Sequence, residues 1–129
     1  MKYWFNSAFS FIISGVIYLL GGWDISIQVL ITFMIIDYIT GMISAIKNHQ
    51  LSSKIGSFGL IKKCLMLTIV AVGVEVDKLL GQSGVFRSIV IYFYVSNEGI
   101  SILENLIECD VRVPEKLKEI LKQIQDKEN

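Results

Sequence analysis

Apolar residues fall into four blocks, roughly 4–20, 25–46, 60–80 and 85–107, separated by short polar connections. Blocks of this length predict helices. At 1.5 Å per residue the second, third and fourth can cross a hydrocarbon core of about 30 Å. The first is marginal for a crossing, so it is either a tilted span or an interfacial helix. Two connections, Gly21-Gly22-Trp23-Asp24 and Gly81-Gln82-Ser83-Gly84, read as tight turns without a basic residue, whereas 47–59 is longer and polar. After Pro114, suited to a first helical turn, Leu117, Ile120, Leu121 and Ile124 recur at i, i+3, i+4 and i+7, the spacing of a short amphipathic helix. The expected fold is all-α: an integral membrane protein with three to four transmembrane helices in residues 1–109, followed by a cytoplasmic amphipathic tail in 110–129.

The polar positions inside the apolar blocks are ordered as well. On a helix turning 100° per residue, Arg87, Tyr94, Asn97, Glu98, Ser101, Glu104, Asn105 and Glu108 share an arc of roughly 120°, opposite Val95, Ile102, Leu103 and Leu106. A carboxylate at mid-bilayer costs on the order of 3 kcal/mol, so this stripe requires partners or water. Donors inside one small bundle are expected to be few, and a ring of copies turning the fourth helix to a shared axis would keep the acids hydrated. Tyr94, Asn97, Glu98, Ser101, Glu104, Asn105 and Glu108 are therefore the candidate pore-lining residues, and the expected assembly is a homo-oligomer in contact with membrane lipid.

The other helices carry narrower stripes. Asp37, Thr40, Gly41 and Ser44 share one face of the second, where Asp37, Gly41 and Ser44 are candidates for helix packing or gating. Glu75 and Lys78 at i, i+3 on the third form a candidate pair near its outer end. Ser7, Ser10, Ser14 and Gly15 on the first suit close helix approach.

Composition supports the membrane assignment: 53% of the 129 residues are hydrophobic and 19% charged, with a mean hydropathy of +0.57. The formal net charge is zero, and nothing in the charge pattern points to nucleic acid as a partner. Lys47, Lys54, Lys62 and Lys63 lie in an interval without acids between Asp37 and Glu75, which marks a basic loop on the cytoplasmic side. Four spans then put both termini in the cytoplasm; three leave the C-terminus there and move the N-terminus out. Lys2 precedes an apolar stretch without a good cleavage site, so a retained helix is expected. In the tail, Arg112, Lys116, Lys118, Lys122 and Lys127 alternate with acids, favouring docking on protein or self-association over an anionic lipid surface.

No phosphate-binding loop, metal-ligand cluster or nucleophile with a companion base is legible, so neither catalysis nor a cofactor is expected. Cys64 and Cys109 stand far apart and read as reduced packing residues; His49 reads as a loop residue.

Several stretches carry a resemblance: Asp37-Tyr38-Ile39-Thr40-Gly41; Ser52-Ser53-Lys54 followed by Gly59-Leu60 and Lys62-Lys63; Asn97-Glu98-Gly99-Ile100-Ser101-Ile102-Leu103-Glu104-Asn105; and Val113-Pro114-Glu115-Lys116-Leu117. In this order, over residues 30 to 122, they resemble the toxin-secretion/phage-lysis holin family. The resemblance implies a bacterial or prophage protein of the cytoplasmic membrane that accumulates, assembles and opens a lesion, releasing an endolysin or a large toxin. Two other functions fit a chain of this size. A small proton-coupled multidrug exporter would need an accessible carboxylate, typically in its first helix, where this sequence has none. A non-conducting membrane scaffold would use the polar stripe only to join helices.

Overall fold

The computed structural model describes residues 1–128. They form five helices: α1 (Lys2–Leu19), α2 (Ile25–Lys47), α3 (Ser53–Leu80), α4 (Val85–Glu108) and α5 (Glu115–Glu128). Each boundary has a local cause. Asp24 caps α2 by accepting from the Ile27 amide at 3.1 Å, and Ser52 caps α3 by accepting from the Ile55 amide at 3.2 Å. Gly81 ends α3 in the left-handed region, φ +66°, and its successor's amide returns to the Asp77 carbonyl.

The start of α3 differs from the expected boundary. Residues 53–59 were read from their polarity as part of a loop, yet they are helical, so the connection from α2 is short and Lys54, Lys62 and Lys63 belong to α3. The glycines in this stretch permit close approach within a helix. The Tyr38 hydroxyl donates to the Gly56 carbonyl at 3.2 Å, and a Cβ on Gly59 would lie 3.6 Å from the Tyr38 ring.

Two helices, α2 and α3, are long and apolar enough to cross a membrane. Their apolar outer faces stay exposed, with Ile35, Ile39, Ile43 and Ile46 on α2 and Ile55, Phe58, Leu65 and Ile69 on α3. Inside, Leu20, Ile27, Leu30, Met34, Met66, Val70 and Ile91 form one buried cluster. α4 is the hub: it packs on α2, α3 and α5. Its N-terminus lies by the Leu20–Asp24 turn and its C-terminus by Ser44 and Lys47, so it runs parallel to α2. By contrast α1 buries no residue, and Trp4, Phe5, Phe9 and Phe11 are exposed. Lipid tails are as apolar as leucine, so apolar burial alone selects an inner face weakly in a bilayer, and polar pairing does much of the selecting.

Candidate functional site

The α4 stripe meets α2 and α3 along an open cavity of about 410 Å³, lined among others by Asp37, Gly41, Lys63, Asn97, Glu98 and Ser101. At its centre the Lys63 ammonium, on α3, donates to Asp37 Oδ2 at 2.7 Å and to Glu98 Oε2 at 2.5 Å. All three side chains are mostly shielded, with exposures of 15%, 14% and 9%. One cation therefore joins acids from two other helices, and the group keeps a formal charge of −1. Such a buried network is strong only while every member has its partner.

Asn105, about two turns further along α4 than Glu98, extends the network. Its amide donates to Asp37 Oδ1 and to Thr40 Oγ1, each at 3.0 Å. Gly41 faces it: a Cβ there would lie at ordinary contact distance, 3.6 Å, from the Asn105 amide nitrogen. At the end of the helix the Ser44 hydroxyl donates to the Glu108 carboxylate. Lys47 donates to the Glu108 carbonyl at 2.6 Å and pairs with Asp110 at 2.7 Å. The Asp110 carboxylate holds the Lys47 ammonium above its usual range.

The expected stripe is thus divided. Glu98, Asn105 and Glu108 are partnered within the protomer, while Ser101 lines the cavity and Tyr94 packs at the edge of the core. Asn97 accepts from Gln125 of α5 at 2.9 Å. Glu104 is exposed. The donor that sequence reasoning did not find is Lys63, which it had placed in a basic loop. Glu75 and Lys78 do pair, at 3.0 Å on an exposed face, and the Lys78 ammonium lies 5.2 Å from the centre of the Tyr18 ring. Cys64 is exposed rather than packed. Among the described residues no cluster of His, Cys, Asp and Glu could hold a metal ion.

A second polar group, at the opposite end of α4, joins residues that the sequence did not connect. Arg87 is buried; Nε donates to the Leu20 carbonyl at 2.6 Å, Nη1 to Asp24 Oδ2 at 2.7 Å, and Nη2 to Asp24 Oδ1 at 3.0 Å and to the Gly22 carbonyl at 3.3 Å. This bidentate pairing holds the Asp24 carboxyl well below the usual carboxylate range, helped by the Ile27 amide. Beside it, Asp77 of α3 accepts from the Phe86 amide at 2.8 Å and the Arg87 amide at 3.0 Å. Gly84, at the N-cap of α4, has no side chain to cap the helix; Asp77 supplies the acceptor from across the turn.

Comparison with known proteins bears on the same residues. The model of the bacteriophage holin family matches residues 14–126, which include both polar groups. An uncharacterised 14.9 kDa protein of Clostridium perfringens is 45% identical over 111 residues, 85% of this chain and 84% of that protein. An uncharacterised protein of Listeria monocytogenes is 41% identical over 104 residues, 81% of this chain and 74% of that one. A probable holin of Bacillus phage phi105 is 36% identical over 88 residues, 68% of this chain and 65% of its own length. No solved structure matches.

Proposed function

This chain belongs to the bacteriophage holin family, non-enzymatic membrane proteins, and from that premise we propose that its copies assemble in the bacterial cytoplasmic membrane and open a lesion through which an endolysin or a large toxin leaves the cell. In this reading α2, α3 and α4 span the membrane, α1 lies along or across it, and the α2–α3 connection and the C-terminus face the cytoplasm. The single observation that carries the reading is the polar stripe of α4, held between two helices whose outer faces are apolar.

In the protomer the stripe is closed at Glu98 and Asn105. Lys63 and Asp37 occupy Glu98 and Asn105, so opening requires α4 to exchange these partners for water on an axis shared by several copies. Rings of Glu98 and Glu104 would favour cations while the opening is narrow.

The test is expression in bacterial cells with a membrane-potential dye and a small impermeant dye as readouts. A sudden loss of potential followed by dye entry is expected. Glu98→Gln together with Glu104→Gln, at matched membrane levels, is expected to abolish dye entry without preventing insertion. The internal pairing of the stripe also suits a non-conducting scaffold; unchanged potential and no dye entry with the unsubstituted chain would favour that reading and reject the lesion.

A further inference from the structure

α5 doubles back along α4 and covers the middle of that helix. Leu121 is buried on Gly99, where an added Cβ would stand 3.0 Å and 3.1 Å from the two Leu121 methyl carbons and 3.2 Å from the Phe33 ring. Gln125 reaches still further, to Asn97. The contact between Ser44 and Glu108 marks the level on α2 where α4 ends. Gly99 lies nine residues before Glu108, a depth of about 13 Å at the rise of an α-helix.

Over that depth the sides of the bundle differ. α2 and α3 expose Ile39, Ile43, Ile46, Ile55 and Phe58, whereas α5 exposes the charges of Glu119, Lys122 and Asp126 beside Leu117 and Ile120. A bilayer that covers the isoleucines on one side reaches these charges on the other. Charged side chains at that depth are expelled from acyl chains. What holds α5 down is slight by comparison: one buried leucine, one bond between two uncharged amides, and, among the described residues, no ion pair to α4.

We propose that embedding in a bilayer and docking of α5 compete for the same face of α4, and that in the membrane α5 leaves and α4 of a second copy takes its place at Gly99. A helix already approaches that face to contact distance, which shows that the surface admits one. Gly99, with buried Ser96 one turn before it, lets two backbones come close. A contact between two copies of α4 at this point is self-complementary, as a two-fold interface requires. The proposal rests on the membrane location given under Proposed function, and not on the opening of a lesion.

The test uses the full chain, carrying Cys64→Ser and Cys109→Ser, in vesicles of phosphatidylethanolamine and phosphatidylglycerol. Ser96→Cys is expected to give an oxidised dimer at least tenfold more efficiently than Phe86→Cys, which is exposed and lies about 80° round the helix from Ser96 and about 140° from Gly99, and adding Gly99→Ile is expected to remove that preference. In a separate chain, Asn97→Cys with Gln125→Cys probes docking with a short bismaleimide; little bridging within the chain is expected. Efficient bridging there, or equal dimer yields from Ser96→Cys and Phe86→Cys, would overturn the proposal. Dye release from the same vesicles is scored independently: dimer without release supports this contact and counts against the lesion, while release without dimer does the reverse.

Discussion

The ammonium of Lys63 lies 2.5 Å from a carboxylate oxygen of Glu98, so α3 supplies the cation for the most shielded acid of α4. Because Lys63 also holds Asp37, the two ends of this bond are not equivalent. Lys63→Met leaves two carboxylates facing each other without a cation and is expected to cost about 3 kcal/mol. Glu98→Gln keeps the pair between Lys63 and Asp37 and is expected to cost about 1 kcal/mol. Denaturant titration in detergent micelles, followed by circular dichroism, measures both; equal losses would show that Lys63 is not the shared member.

At Gly73, α3 passes close to the backbone of α4. A Cβ there would meet the Arg87 Cα at 3.2 Å and the Arg87 nitrogen and Phe86 carbonyl at 3.3 Å each. These are backbone atoms that cannot rotate away, so Gly73→Ala should separate the helices and destabilise by about 1–3 kcal/mol. Gly15→Ala, where nothing lies within 4 Å of the added carbon, is the matched control. A Gly73→Ala protein with unchanged denaturation would contradict this packing.

The pair between Arg87 and Asp24 gives a pH dependence. The folded-state carboxyl titrates below its ordinary range, near 3.9 when unperturbed. Its contribution is therefore present above about pH 4 and is lost as pH falls through the lower folded value. The Asp24 side chain is 54% exposed, so salt should weaken the effect. Melting curves from pH 6 to pH 3 should fall more steeply for the unsubstituted chain than for Asp24→Asn. Parallel curves would remove Asp24 from the account.

The membrane reading and the α4 stripe were legible because both follow from periodicity: long apolar blocks, and polar residues recurring at helical spacing. The stripe's partners were not. Lys63 was counted with a basic loop because it follows the polar stretch 47–59 closely, in an interval without acids. Ser52 is a cap, however, and Gly56 and Gly59 are where α3 passes the Tyr38 ring. Ser52 itself, a preferred N-cap residue, was the available signal for that boundary. Arg87, Asp24 and Asp77 were missed for a different reason: their pairing depends on how three helices meet, and no local pattern encodes a bond between residues 63 positions apart. The tail's amphipathic helix was legible in its spacing, but its seat on Gly99 was not, since a glycine in a helix does not reveal what approaches it.

The capping of α4 by Asp77 also bears on how that helix can move. At the Val85 end, Asp77 and Arg87 tie it by six hydrogen bonds to α3 and to the turn before α2. At the Glu108 end, its last turn is held by Ser44 and by an exposed lysine that water can replace. Were the bonds of Glu98 and Asn105 exchanged for water, a rod left so fastened would swing about its Val85 end rather than slide.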